Sequence, residues 1–280
     1  MSRPSKAMMS LFAKVLRLNR KLVYGWRVAG YGDRLQDRFR ILLLTGAMPL
    51  IRRLGGGRRV LVWLRLGDQV VGWTADNFAD IGVVDEVFGE RVYDLDLVPA
   101  PATIIDLGSH VGASVLFFAQ IYPGATIVAI EADPGNFRKL HRNVGHLSNV
   151  RLVHAAAGTG PGRVTLFASG GVDSWKSSTR QSTPWQSAVE VDSVALDDVL
   201  DWDRAERPVM VKIDIEGGEY DVLRAFRSLP DVSAVVGEVH PYLMDASVDD
   251  FRTLLADFDL DLPATVEADT TFRARRAPVG

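Results

Sequence analysis

Two stretches of this 280-residue chain carry reactive residue types at close spacing. In the first, Thr103-Ile-Ile-Asp-Leu-Gly-Ser-His-Val-Gly-Ala-Ser114, an apolar run holds Asp106 and is followed by Gly108 and Gly112. Glycine at these positions permits a sharp turn and a close approach to the backbone. Glu131 lies 23 residues beyond Gly108, placed to accept hydrogen bonds from both hydroxyls of a ribose. A glycine turn beside such an acid reads as a nucleoside cradle. In the second stretch, Val209-Met-Val-Lys-Ile-Asp214 leads into Glu216, Gly217, Gly218 and Glu219, and Glu238 and His240 end a later apolar run.

The spacing narrows the nucleoside. A dinucleotide turn has the pattern Gly-x-Gly-x-x-Gly, with the pyrophosphate on a helix N-terminus. Here the pattern is Gly108-Ser-His-Val-Gly112, and Asp106 would repel a pyrophosphate while attracting the amino group or sulfonium of S-adenosylmethionine. The methyl donor therefore fits better than a nicotinamide cofactor. A hydroxyl acceptor needs a base, so Asp214, Glu216 and His240 are the catalytic candidates. Glu219, an acid in a first helical turn, reads as a dipole partner. These oxygens and one imidazole are also compatible with a hard divalent cation, although no distinctive ligand spacing marks one.

The elements that must position these residues alternate. Strands are expected at Thr103 to Leu107, Ala125 to Glu131, Val150 to Ala156, Val209 to Asp214 and Ser233 to Val239. Helices are expected at Ala113 to Ile121, Phe137 to Val144, Tyr220 to Phe226 and Val248 to Phe258. This order implies right-handed crossovers and a mostly parallel sheet covered by helices on both faces. Leu260 to Arg275 suits an antiparallel closing hairpin. In such a sheet a ligand lies at the carboxyl ends of the strands, where the strand order reverses.

Asp106-Leu-Gly-Ser-His-Val-Gly112, Glu131-Ala-Asp-Pro134, Asn143 and Val211-Lys-Ile-Asp-Ile-Glu-Gly-Gly-Glu219 resemble the FkbM-type S-adenosylmethionine-dependent methyltransferases. The likeness runs from about Trp73 to His240 and includes Glu86-Val-Phe and Tyr93; His110 departs from the small or amide residue expected there. The resemblance implies the Rossmann-like class I methyltransferase fold with a seven-stranded sheet, and O-methylation of a hydroxyl on a sugar, glycolipid or polyketide-like product. It places Asp106, Gly108, Ser109, His110, Gly112, Glu131, Ala132 and Ala156 around S-adenosylmethionine. A nicotinamide oxidoreductase and a catalytically silent nucleoside-binding module are the rival readings.

Composition sets the remaining bounds. A hydrophobic fraction of 47% is ample for a buried core, and the absence of cysteine excludes disulfides, thiolate metal sites and a cysteine nucleophile. No apolar run is long enough to span a bilayer, and a cytoplasmic location is expected. Residues 1–60 carry 14 Lys and Arg against Asp33 and Asp37, a net of +12, while the remainder is acidic with a net of −15. A basic N-terminal extension over 1–60 therefore precedes a methyltransferase domain over 61–280. Within the extension, Met8 to Val23 has an apolar side and a basic side, a pattern suited to an anionic membrane surface, so peripheral contact through residues 1–24 at the inner membrane face is expected. The acceptor is expected to be a small molecule, glycan or glycolipid, with no nucleic-acid partner. An insertion over 159–199 holds two β-like pieces, Arg163 to Phe167 and Ala188 to Val194, and carries Trp175 and Trp185 as candidates for stacking on an acceptor sugar.

Overall fold

The computed structural model describes residues 23–46, 59–97, 99–168, 177–179 and 187–276. The expected helix over Met8 to Val23, apart from Val23, and both insertion tryptophans lie outside these residues. The chain divides into two units, Met1–Asp85 and Glu86–Gly280. The first holds a helical segment at 23–29, α1 (Leu35–Gly46), an antiparallel hairpin of β1 (Val60–Leu66) and β2 (Gln69–Ala75), and α2 (Ala79–Val84). β1 buries alternate residues, Val62, Leu64 and Leu66, as a half-covered strand should. Arg27 and Tyr31 both donate to Asp85, Arg27 Nε at 2.9 Å and Tyr31 Oη at 3.1 Å.

The second unit carries the sheet that the alternating pattern demanded. Its strands are β3 (Thr103–Leu107), β4 (Thr126–Glu131), β5 (Val150–His154), β10 (Val209–Ile213), β11 (Val232–Val239), β12 (Asp259–Asp261) and β13 (Thr270–Arg275), in the order β12-β13-β11-β10-β3-β4-β5. The five strands from β11 to β5 are parallel, and β13 runs antiparallel between β11 and β12. This is the class I methyltransferase topology, and the closing hairpin stands where the sequence placed it. Order reverses between β3 and β10, whose successors lie on opposite sides, so the crevice opens at their carboxyl ends.

Burial explains the apolar runs. All five residues of β3 and all five of β10 are buried, including Asp106 and Lys212. Most of α3 (Ala113–Ile121) is buried as well, from Ala113 to Phe118. α4 (Pro134–Val144) begins with a side-chain cap, Asp133 accepting from the Asn136 amide at 2.8 Å, and with proline in its first turn, where no amide donor is lost. α5 (Glu219–Ala225) and α6 (Val248–Leu254) complete the helical layers, the latter starting in a reciprocal Ser247–Asp250 capping box.

The insertion over 159–199 builds most of a second sheet, with the first strand of that sheet just before it. β6 (Ala156–Gly158), β7 (Gly162–Ala168), β8 (Ser177–Ser178) and β9 (Ser187–Ala195) form it in the order β6-β9-β7-β8, around buried Ala156, Leu166 and Val191. Both expected β-like pieces are strands, and they pair antiparallel. Among the described residues no helix is long and apolar enough to cross a membrane.

Candidate active site

The glycine turn is built from backbone geometry. Gly108 (φ +74°) and Gly112 (φ +100°) occupy the left-handed region, and the amides of Gly108 and Ser109 both donate to the Ile130 carbonyl at 3.0 Å. His110 is also left-handed (φ 49°), a conformation that His, like Asn and Asp, adopts more readily than most residues. The glycines serve packing directly. A Cβ on Gly108 would stand 1.8 Å from the Asp214 carbonyl oxygen, and one on Gly112 would press on Val144 and Leu140. The space at Gly108 is therefore taken by the neighbouring strand end, where the sequence reading left room for a ligand. Asn143 ties the turn to α4, its Nδ2 donating to the Val111 carbonyl at 2.9 Å.

Glu131 ends β4 and faces this turn. Its Oε2 accepts from the His110 amide at 2.8 Å and its Oε1 from the Asp133 amide at 2.7 Å. Burial outweighs these two donors and pushes its carboxyl up to about 8. Each carboxylate oxygen has a second lone pair, so the group stays able to receive a vicinal diol while its orientation is fixed by backbone. Ala132 packs against the small core that contains Ala156, so those two expected cofactor residues meet at the seam with the insertion sheet.

Asp106 faces inward. Its Oδ2 accepts from Ser114 Oγ at 2.6 Å, and its Oδ1 lies 3.4 Å from Lys212 Nζ. Sheet register sets Lys212 directly opposite Asp106 on β10. Lys212 also donates to the carbonyls of Gly108 at 2.8 Å and Leu107 at 3.3 Å, approaches Asp214 Oδ2 at 3.8 Å and stands 5.1 Å over the Tyr93 ring. Burial opposes its charge, but Asp106 and then Asp214 prevail and hold the ammonium above its ordinary range. The sequence reading passed over Lys212; a lysine inside an otherwise apolar strand was the available signal.

The second pole surrounds His240. The three catalytic candidates come together, with Nε2 3.9 Å from Asp214 Oδ1 and 3.7 Å from Glu216 Oε2. Two further acids share the position, Glu238 Oε2 at 3.7 Å and Asp269 Oδ1 at 4.0 Å. The other ring nitrogen, Nδ1, bonds Glu219 Oε1 at 2.9 Å. Glu219 is fully buried and also accepts from the Ile215 and Gly217 amides at 3.2 and 3.0 Å. It is thus a brace for both the acid loop and the imidazole, well beyond a dipole partner. Burial works against a charged His240, yet the bond and charge of Glu219, with Asp214 and Glu216, push it up to about 10. Burial and the charge of Asp214 push Glu238 up to about 8.

Two details mark the acid loop. Glu216 is held at φ 57°, an uncommon conformation for a residue with a Cβ, and its carbonyl accepts from Ser178 Oγ of β8 at 2.5 Å. Tyr93 Oη donates to Asp214 Oδ2 at 2.8 Å, and burial followed by the Asp214 charge keeps the phenol protonated.

The family model described as the methyltransferase FkbM domain matches residues 106–261. "Methyltransferase 1" of Beauveria bassiana is 32% identical over 161 residues, covering 50% of this chain and 64% of the relative. "Methyltransferase sdnD" of Sordaria araneosa is 28% identical over 173 residues, covering 51% and 67%. Among solved structures, the fibrillarin pre-rRNA processing protein of Methanococcus jannaschii is 11% identical with a TM-score of 0.43, covering 80% of this chain and 91% of that one. A precorrin-6y C5,15-methyltransferase of Geobacter metallireducens is 13% identical with a TM-score of 0.40, covering 69% and 88%.

Proposed function

The chain belongs to the FkbM methyltransferase family, and from that premise we propose that it transfers a methyl group from S-adenosylmethionine to a hydroxyl of a sugar, glycolipid or polyketide-like product. The observation that carries this reading is the adjacency of two unlike poles across the β3–β10 crevice: the backbone-fixed Glu131 at one strand end and the Asp214, Glu216 and His240 group at another. Glu131, with the His110 amide and the glycine turn, would hold the ribose of the cofactor. The donor set fits, because Glu131 is oriented by two amides and retains acceptor capacity. When bound, S-adenosylmethionine supplies an electrophilic methyl on sulfur.

The chain's own residues then act on the acceptor. Asp214, fixed through Oδ2 by Tyr93, presents Oδ1 to orient the hydroxyl. Glu216, strained in the left-handed region at the same pole, takes its proton as the oxygen–methyl bond forms and the carbon–sulfur bond breaks with its electron pair remaining on sulfur. Alignment supplies much of the acceleration in such an in-line displacement.

Transfer of labelled methyl to a panel of hydroxylated glycosides tests the reading. Asp214→Asn should retain S-adenosylhomocysteine binding and lose turnover. Wild-type turnover in that variant would assign Asp214 to structure, and no transfer to any hydroxyl, with S-adenosylhomocysteine still bound, would favour a silent binding module. The basic arm, +12 over residues 1–60, supports peripheral contact with anionic bilayers that would bring a lipid-linked acceptor to the site. Co-sedimentation with phosphatidylglycerol vesicles at low salt, lost on deletion of residues 1–24, is the expected result; a full-length chain left in the supernatant would end that proposal.

A further inference from the structure

Four acids crowd the space in front of His240. Four carboxylate oxygens, from Asp214, Glu216, Glu238 and Asp269, stand 3.7 to 4.0 Å from its Nε2. Those separations are too long for hydrogen bonds. They fall between the spacings of adjacent and opposite ligands around an octahedral cation with ligands at about 2.2 Å, roughly 3 and 4.4 Å, so the groups stand near enough to close on one ion.

His240 is the independent observation that turns an acidic cluster into a candidate site. It is only 1% exposed, yet among the described residues its Nε2 makes no hydrogen bond and points at the acids. Its Nδ1 is held by Glu219, which is buried and itself fixed by two amides. A carboxylate bracing one imidazole nitrogen so that the other faces outward is the arrangement that orients metal-ligating histidines.

We infer that Asp214, Glu238 and His240 bind a divalent cation of the Mn2+ or Mg2+ class. Their ligand atoms all lie within 4.8 Å of one another. A set dominated by carboxylates with a single imidazole suits hard to borderline ions over thiophilic ones, and the ion takes the place of the proton on Nε2, since a ligating imidazole is neutral. The carboxylates of Asp214, Glu238 and Asp269 are 24, 25 and 36% exposed, so the site communicates with solvent and leaves positions for water or an acceptor oxygen. The role of the ion rests on the methyl-transfer reading: it would hold the acceptor hydroxyl by its oxygen and ease loss of the proton to Glu216. The ion site itself rests on geometry alone.

The test is titration of Mn2+ into the full-length chain, following the electron paramagnetic resonance signal of free Mn2+, with S-adenosylhomocysteine binding measured by calorimetry on the same samples. One bound ion per chain is expected. Glu238→Gln, a near-isosteric change, should weaken Mn2+ binding at least about tenfold, and Glu219→Gln, which alters the brace on the imidazole and the acid-loop amides while standing outside the ion's own ligands, should weaken it about 10- to 100-fold. Thermal melts confirm that both variants fold, and both should keep their S-adenosylhomocysteine affinity. A folded wild-type chain that leaves the free-ion signal unchanged at about 1 mM Mn2+, or equal binding by wild type and both variants, would overturn the site. If Mn2+ binds as expected and S-adenosylhomocysteine does not, the ion site stands and the methyl-donor reading falls.

Discussion

Glu131 and Glu238 lie at the carboxyl ends of strands in one sheet, and burial pushes both carboxyls up to about 8, yet their surroundings are opposite. Glu131 receives the amides of His110 and Asp133, so fixed dipoles oriented by the backbone hold both its oxygens. Glu238 meets Asp214, Asp269 and the His240 ring, which are side chains whose charges depend on protons or ions. One pole is complete as soon as the chain folds. The other gathers four acids around one imidazole, so its balance of charge turns on protons. A pre-formed pole suits a ligand that is the same in every turnover, and a charge-hungry pole suits the step where a proton must leave.

Loss of Lys212, which stands between the poles, should cost the most. Lys212→Met would leave Asp106 buried without its partner, and unfolding in urea should show a loss of about 3–5 kcal/mol. The double variant Asp106→Asn, Lys212→Met should recover part of that loss, which an effect of packing alone would not produce. Next in size, Glu131→Ala should weaken S-adenosylhomocysteine binding about 10- to 100-fold in calorimetry, with Glu238→Gln leaving that affinity unchanged. Equal losses in the two variants would erase the distinction between the poles.

A pH series sharpens the contrast. Glu131 keeps its proton in the folded chain up to about 8, whereas an unfolded glutamate releases it near 4.5. Its contribution to stability is therefore fully present below 4.5 and is lost as pH rises through about 8. Melting temperature measured without ligand or metal should decline across that window, and Glu131→Gln should flatten the decline. The smallest effect is expected at Tyr93. Its replacement by Phe removes one hydrogen bond to Asp214 and should lower kcat about two- to tenfold, with S-adenosylhomocysteine affinity unchanged.

Much of the fold was legible because its signals are local. β3 and α3 fall on the expected residues, since a continuous apolar run, a glycine turn and the Pro123-Gly124 stop all lie within one short segment. The meeting of Asp214, Glu216 and His240 was legible for a different reason: strand ends in a parallel sheet share one edge. Lys212 was not, because its meaning comes from register with Asp106, a residue more than a hundred positions away. Glu219 was misjudged for the same cause. In the sequence it is an acid opening a helix, and only the turn between β11 and α6 brings His240 onto it. Gly108 was read correctly as a turn residue, but its close neighbour is the Asp214 carbonyl.

The bond from Ser178 to the Glu216 carbonyl has an engineering consequence. It joins the insertion sheet to the acid loop, whereas the Glu131 pole is wired through β3, β4 and their following turns. Under the proposed methyl transfer, the insertion is thus a cassette tied to the acceptor half of the site. Exchanging the β7-to-β9 segment for that of a relative, with Ser178 retained as the anchor and Val164, Leu166 and Val191 kept against Ala132 and Ala156, is a route to new acceptor range under the proposed methyl transfer.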